Sequence, residues 1–466
     1  MEQLNDVLQL ISDTTYTYVV VWLIALCGIY FTFKTRFSQF RLFPDSIKYM
    51  GEKSGKGEVS SFQALMMCTA SKVGTANIAG VAMAIVTGGP GAIFWMWLMS
   101  IFGSASSVVE STLAQIYKSK SKDGKMFIGG PAYYIKKALK KPKLGVAFSA
   151  LFVFCYMFAF SALQANNMSS SFESFIPNYH KTFWPWVVGI IFTALISCVV
   201  FGGMYRISFV SSYLVPFMAS MYILVGIYIF ITNITRVPAM FEMIFKDAFS
   251  FDSFFGGLTG SVILLGVKRG LLSTEAGMGS APNSAAAAVT SHPMKQGIMQ
   301  IMSVGIDSML ICSTSAFIIL LSKWDLMPNM PGIPLMQLAV SSQVGTWGAY
   351  FIGFSVICFS FSAIIGNFGI SEPNILYIKN SKKVVKILRI VCLSAVLCGC
   401  VVKADLVWNL ADIAMAGLAV LNLIVIFILR DKFMVCFKDY LKQRAEGKDP
   451  AFKAEDCGIY DATEWK

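Results

Sequence analysis

Eleven apolar segments, each long enough to cross a lipid bilayer, dominate this chain of 466 residues. A helix needs about 20 mostly apolar residues to span the hydrocarbon core, and helices suit that role because they satisfy their own backbone polar groups. The sequence therefore predicts an all-α polytopic membrane protein with short connections. The predicted spans are residues 16–33, 62–86, 91–117, 144–172, 183–201, 209–231, 254–289, 296–321, 344–378, 384–402 and 406–429.

The composition agrees with a membrane protein and argues against several other classes. Charged residues make up 14% of the chain, against roughly 25% in soluble domains. With two histidines a multi-histidine metalloenzyme is excluded, and the 11 cysteines lie mostly inside apolar segments without C-x-x-C spacing. No H-E-x-x-H or G-x-S-x-G motif occurs, so no enzyme and no organic cofactor are predicted. A channel is disfavoured because no repeated ring of charge or filter loop is present.

The basic residues that give the net charge of +12 are unevenly distributed between the two sides of the membrane. When loops alternate with the N-terminus outside, 30 lysines and arginines fall on one side and five on the other. Cytoplasmic loops collect Lys and Arg, so we predict a bacterial-type cytoplasmic membrane with the N-terminus outside and the C-terminus inside. The basic runs lack interleaved aromatics for base stacking, which disfavours a nucleic-acid partner. The expected partners are membrane lipids and a small substrate, with no obligate protein partner.

Two predicted spans contain residues that an uninterrupted membrane helix would avoid. Residues 68–82 place Lys72, Gly74 and Asn77 in an apolar stretch, and residues 266–288 contain four glycines, a proline and three charged residues. Each cluster begins one half of the chain when helix 16–33 is set aside. The sequence then predicts two five-helix repeats, 62–231 and 254–429, of opposite orientation. Broken helices at corresponding positions indicate a secondary transporter with a midplane site.

Several motifs of this chain resemble the alanine or glycine:cation symporter family. They are VGTANIAGVAMAIVTGGPGAIFWMW at 73–97, GGPAYYI at 129–135, STEAGMGSAP at 273–282 and FSFSAIIGNFGISEPN at 359–374. The resemblance implies a LeuT-type 5+5 inverted repeat preceded by one extra N-terminal helix, in a single transporter domain of residues 1–466 with a cytoplasmic tail from 430. It also implies sodium-driven import of a small neutral amino acid.

The resemblance further implies a set of substrate-binding residues. The first interruption and its facing helices supply most of them, and Met168 lies one turn after Gln164 on the same face. The set is Gly74, Thr75, Asn77, Gln164, Met168, Gly270, Leu271 and Asn367. Ala76 replaces a glycine common in the family, and Asn367 replaces a tryptophan that closes the side-chain end of the pocket in many members. The roomier or more polar pocket extends the expected substrates from alanine and glycine to serine and glutamine.

Sodium ligands are likewise implied by the resemblance. They are the carbonyls of Ala70, Val73 and Phe359 with the hydroxyl of Ser362. Two roles are open for Lys72: its ammonium excludes a second sodium, or it forms an ion pair with Glu110 or Asp307, as a charge in the membrane normally has a partner. Proton coupling through Glu110 or Lys72 is the alternative to sodium.

Overall fold

The computed structural model describes residues 2–52, 55, 58–121, 126–250, 262–322, 324 and 332–465, and its regular structure is almost entirely helical. Up to residue 250 the helices are α1 (Glu2–Thr15), α2 (Val21–Lys34), α3 (Ser38–Arg41), α4 (Phe43–Met50), α5 (Ser61–Lys72), α6 (Val81–Gly88), α7 (Ala92–Ile116), α8 (Pro131–Ala138), α9 (Pro142–Val153), α10 (Ser161–Ser170), α11 (Trp184–Val200), α12 (Gly203–Thr232) and α13 (Val237–Ala248). From residue 262 they are α14 (Val262–Thr274), α15 (Ala281–Ala287), α16 (Pro293–Val304), α17 (Ser313–Leu320), α18 (Ile333–Val344), α19 (Trp347–Ile378), α20 (Lys382–Gly399), α21 (Ala404–Ile428) and α22 (Arg430–Ala445).

Short elements of other kinds join these helices. Wider π-helical turns lie at Tyr16–Val20, Ala76–Gly80, Phe154–Phe160 and Gly305–Cys312, and 3-10 turns lie at Tyr179–Lys181 and Ile234–Arg236. The strands β1 (Ser119–Lys120) and β2 (Phe127–Ile128) pair antiparallel. π-turns are rare and concentrate at functional sites. The turn Ala76–Gly80 follows the first interruption and the turn Gly305–Cys312 follows the second, so these two turns indicate the region of a candidate site.

Among the described residues, seven continuous helical segments are long and apolar enough to cross a membrane, and α5 with Ala76–Gly88 makes an eighth that bends by 52°. The three other predicted spans are also helical. They are shorter, broken or more highly charged: α11, α14 with α15, and α20. The predicted start of one span, Phe254, lies outside the described residues.

The first helix is longer than predicted. It begins at Glu2 rather than at Tyr16 and continues to Lys34. Residues 2–15 are too polar to have been assigned to a span, but tertiary contacts hold them in the helix. The Asn409 side chain of α21 donates to that of Asn5 over 2.8 Å, and Asp13 forms a buried ion pair with Lys268 of α14.

Both sequence clusters interrupt a helix, and local chemistry sets the ends. A capping box begins α5, with Ser60 accepting from the Gln63 N–H and the Gln63 side chain accepting from the Ser60 N–H. This pattern satisfies two free N–H groups at once. After Thr274, the backbone adopts positive φ at Glu275, Gly277 and Gly279, a conformation that ends α14 and that glycine tolerates best.

Close packing fixes the first interrupted helix against α19. A Cβ on Gly366 would lie 2.6 Å from the Ser71 backbone nitrogen, so only glycine fits at this crossing. Small residues let membrane helices approach in this way. The crossing places the polar stretch of α19 beside the end of α5.

Candidate functional site

At the first break, the backbone leaves the α-helical hydrogen-bonding pattern after Lys72. The Gly74 N–H donates to the Lys72 carbonyl over 2.8 Å rather than to that of Ala70, and the Asn77 N–H donates to the Gly74 carbonyl over 3.2 Å rather than to that of Val73. The carbonyls of Ala70 and Val73 thereby lose their helical donors. Free carbonyls in hydrocarbon need another partner, and a hard cation is one.

Gln164 of α10 closes the other side of this break. Its Oε1 accepts from the Thr75 N–H over 2.8 Å and from the Thr75 hydroxyl over 2.7 Å. Asn167, one turn further along α10, donates to the same hydroxyl over 2.8 Å. A Cβ on Gly74 would collide with the Gln164 amide. The structure thus brings Gly74, Thr75 and Gln164 together, with Met168 buried on the next turn.

A carboxylate joins the two interrupted helices. Asn77, after the first break, donates to Asp307 Oδ1 over 2.5 Å, and Ser273, at the end of α14, donates to Asp307 Oδ2. Ser308 also donates to Oδ2, over 3.1 Å. Asp307 lies in the π-helical turn Gly305–Cys312. The sequence assigned Asp307 only as a partner for Lys72; a lone acid in an apolar span was the available signal.

Several buried polar atoms at the first break and on α19 are unsatisfied. Within the described part of the chain, no hydrogen-bond partner is found for Lys72 Nζ, Asn77 Oδ1, Ser362 Oγ or Asn367 Nδ2. The other amide atom of Asn367, Oδ1, accepts from the Ser71 hydroxyl over 2.7 Å. An unpaired buried polar group costs about 1–3 kcal/mol. Such a cluster is typical of a site that receives its partners from a ligand.

The other predicted site residues of α14 and α19 have separate packing contacts. Gly270 packs on α7, where a Cβ would lie 3.0 Å from Met99 Cγ. Leu271 is fully buried, and its carbonyl accepts from the Glu275 N–H over 2.8 Å. The Phe359 ring contacts that of Tyr222, with the centroids 5.5 Å apart. Gly270 therefore allows close packing of α14 on α7, and its assignment to the substrate site stays a prediction.

Of the three cations that lie within the two interrupted spans, Lys72, Lys268 and Arg269, two have ionic partners. Lys268 pairs with Asp13 over 2.5 Å, and Arg269 pairs through both terminal nitrogens with Asp412 over 3.3 Å. Lys72 forms no ion pair with any described residue, so the predicted pairing with Glu110 or Asp307 is wrong at contact distance. Those carboxylates act on Lys72 only through their longer-range field, because each is already held by other donors.

At the second break, Glu110 of α7 holds the unwound backbone. Its carboxylate accepts from the Gly279 N–H over 3.1 Å, from the Gly277 N–H over 3.4 Å and from the Asn422 amide over 2.7 Å. Asn422 also donates to the Gly277 carbonyl over 2.9 Å and accepts from Tyr134. Glu110 was expected only as a partner for Lys72 or as a titrating group.

An open cavity of about 560 Å³ leads toward the first break. It reaches Asn167, which contacts Thr75, and it lies at the end of the bundle where α21 begins. Its lining includes Ala79, Met83, Asn167, Glu173, Asp405 and Trp408.

Among the described residues, no group of three or more His, Cys, Asp or Glu could hold a metal ion. The donors around the break are instead carbonyl, amide, hydroxyl and single carboxylate oxygens, which suit a hard cation.

The whole-chain comparison decides the family. The model of the sodium:alanine symporter family matches residues 1–454. The chain belongs to the sodium:alanine symporter family. This symporter-family chain is 42% identical over 452 residues to the probable sodium/glutamine symporter GlnT of Bacillus subtilis, covering 96% of this chain and 93% of GlnT. It is 42% identical over 464 residues to the amino-acid carrier protein AlsT of the same organism, covering 99% and 98%.

A solved structure shares the fold at low sequence identity. A mutant of the manganese transporter of Eremococcus coleocola aligns with a TM-score of 0.50 and 12% identity, covering 88% of this chain and 86% of that one. At that identity the likeness shows the fold alone. The symporter-family chain is thus an all-helical, multi-pass membrane transporter of amino acids rather than an enzyme.

Proposed function

We propose that this protein is a sodium-coupled symporter that imports a small neutral amino acid across a bacterial cytoplasmic membrane by alternating access. The N-terminus would lie outside and the C-terminus inside. Eleven transmembrane helices would form a LeuT-type fold, with an extra helix followed by repeats 62–231 and 254–429 and a tail from 430. The family match and the interruption near the start of each repeat support this arrangement.

One observation carries the proposal: Asn77 and Ser273, one from each interrupted helix, donate to the same Asp307 carboxylate beside unsatisfied polar atoms. A ligand bound there contacts both repeats. Movement of one repeat relative to the other would then depend on what occupies the site, as alternating access requires.

The substrate carboxylate is assigned to Thr75. The N–H and hydroxyl of Thr75 both point to the Gln164 carbonyl oxygen, and freed N–H groups of a broken helix favour an anion. We propose that Gln164 gives up these donors and turns its amide toward the substrate. The free Nδ2 of Asn367 suits a polar substrate side chain, and the relative GlnT is named for glutamine. Alanine, glycine, serine and glutamine are therefore the substrates to compare.

Sodium is assigned to the freed carbonyls of Ala70 and Val73, the Phe359 carbonyl and the unpaired hydroxyl of Ser362. The oxygen donors suit sodium, and the ammonium of Lys72 would keep a second sodium away from Asp307. One sodium moving through 100 mV contributes ~2.3 kcal/mol, and a tenfold gradient adds ~1.4 kcal/mol. That suffices to concentrate a zwitterion several hundredfold. A measured ratio of two sodium ions per substrate would contradict this role of Lys72.

The test is uptake of radiolabelled alanine, glycine, serine and glutamine into proteoliposomes with and without an inward sodium gradient at fixed pH. We expect accumulation of at least one substrate only with sodium. Accumulation driven equally by potassium would contradict the proposal.

Proton coupling is the second candidate function. Three buried carboxylates, on Glu110, Glu275 and Asp307, interact electrostatically with the ammonium of Lys72. This excess of acid would be relieved by bound protons as well as by bound sodium. Uptake driven by an inward pH gradient in the absence of sodium would favour this alternative.

A further inference from the structure

The start of the first interrupted helix, α5, meets the end of the second, α15, on the side of the molecule where the C-terminal tail lies. The Val289 N–H, just after α15, donates to the Val59 carbonyl, just before α5, over 3.1 Å. Gln296 donates to the hydroxyl of Ser61 over 2.7 Å. We name residues 59–61 and 285–289 the tail-side gate. A path from the two breaks to this side requires these segments to separate.

Gln115, at the end of α7, fastens the tail-side gate. Its side-chain amide donates to the carbonyl of Ala288 over 2.9 Å and to that of Ala285. The ammonium of Lys118 lies 3.5 Å from the Ala288 carbonyl. The Ala285 carbonyl also accepts from the Ala288 N–H over 3.3 Å, and the two side chains complete the cap at the end of α15, where carbonyls lack helical partners. The cap joins the gate to α7.

Trp465, almost at the end of the chain, supports both capping residues. Its indole N–H donates to the Gln115 carbonyl over 2.8 Å. Its ring lies 4.4 Å from the Lys118 ammonium, and the Phe127 ring of the β-hairpin lies 4.2 Å from the same ammonium. Trp465 is 7% exposed. An indole buried with its N–H satisfied is a strong anchor.

The rest of the tail is attached to the same region. The Phe452 N–H donates to the Ser291 carbonyl over 2.9 Å, and the Ser291 hydroxyl donates to the Pro450 carbonyl over 2.8 Å. Within the tail, the Ala454 N–H donates to the Trp465 carbonyl over 2.9 Å. Residues 446–465 therefore run from the end of the gate to its cap as one connected segment.

We infer that the C-terminal tail holds the tail-side gate closed, and that Trp465 is the positioning residue that aligns Gln115 and Lys118 on the end of α15. This inference rests on the proposed transport function only for its effect on turnover. Opening the gate requires Gln115 to leave the α15 carbonyls, and Trp465 opposes that movement. Loss of Trp465 should change the rate of gate opening more than the affinity of the distant Thr75 site.

The experiment compares Trp465→Ala, Trp465→Phe and a control in the full-length protein. Tyr460→Ala is the matched control, because Tyr460 is a tail aromatic that is 82% exposed. Hydrogen exchange of peptides covering residues 281–292 reports gate opening without requiring transport. We expect exchange in Trp465→Ala to be faster by about fivefold or more, as for the loss of one net hydrogen bond. Trp465→Phe should give a smaller increase, because it keeps a ring over Lys118.

Uptake of alanine and glutamine by the same variants supplies the second measurement. We expect Trp465→Ala to change kcat while KM stays within about twofold, because the Thr75 site is untouched. Unchanged exchange in both Trp465 variants, or equal acceleration in Tyr460→Ala, would overturn the inference. If hydrogen exchange in Trp465→Ala is also faster throughout α7, that variant has lost structure beyond the gate. The exchange of Trp465→Phe at residues 281–292 then tests the inference. Absence of any uptake in the parent protein would contradict the proposed function, while the exchange result would still test the tail.

Discussion

The two breaks differ in the charge of the group that holds the freed backbone. At the first, the Thr75 N–H is held by the neutral amide of Gln164. At the second, the N–H groups of Gly277 and Gly279 are held by the carboxylate of Glu110. A neutral acceptor can be replaced by a substrate carboxylate, whereas Glu110 would repel one. This difference supports our proposal that the first break binds the ligand and that Glu110 supports the backbone of the second.

The largest expected effect comes from Asn77→Ala at the first break. The variant removes the hydrogen bond from Asn77 to Asp307 and the unpaired Oδ1 of Asn77. We expect uptake to fall by about a hundredfold, the scale of a lost hydrogen bond to a charged group. Asn409→Ala, which removes an amide contact with Asn5 and no contact of the first break, is the control for expression and folding. Uptake near the parent value would remove Asn77 from the site.

Glu110→Gln should act on stability rather than on binding. The shape is kept, but the N–H groups of Gly277 and Gly279 lose a charged acceptor, which we expect to cost about 1–2 kcal/mol. Thermal unfolding in detergent measures the loss, with Glu242→Gln on exposed α13 as the comparison. A fall in substrate affinity as large as that in Asn77→Ala would show that the second break also takes part in ligand binding.

A smaller change is expected for Ser362→Ala, which removes one oxygen from the proposed sodium site. The sodium concentration for half-maximal uptake should rise about fivefold, as for one lost polar contact. Ser355→Ala lies on the same helix and is the control, because the Ser355 hydroxyl donates only to its own helix at Phe351. Equal sodium dependence in the two variants would count against Ser362.

Acidification should act on the region beyond the second break rather than on either break. Burial lowers the pKa of His292 from 6.5 to about 4, and His292 Nδ1 accepts the Met294 N–H at the start of α16. The folded state therefore favours neutral His292. Its contribution is complete above pH 6.5 and is lost as the pH falls toward 4, by up to about 2 kcal/mol at pH 5. Unfolding midpoints at pH 7.5 and 5 should differ less in His292→Asn than in the parent.

Local sequence was sufficient to predict the two interruptions, because glycine clusters and charges in apolar runs are local features. It was not sufficient for the first helix, whose polar residues 2–15 are helical through contacts with α14 and α21. The assignment of Gly270 to the substrate site stays a prediction, and a local pattern gave no sign of its tight approach to Met99. Asp307 and Glu110 were noticed as buried acids, but their partners lie too far along the chain to be read from a pattern.

The sequence by itself determined the helical membrane class, the position of both breaks and the family, since hydrophobic length, glycine content and motif identity are properties of contiguous residues. Only the tertiary structure decided which polar groups meet: Asn77 and Ser273 on Asp307, the second break on Glu110, and Trp465 on the cap of α15. These contacts depend on how helices cross. Each pairs residues that no local pattern relates, and each satisfies a buried polar group that would otherwise be costly in the membrane.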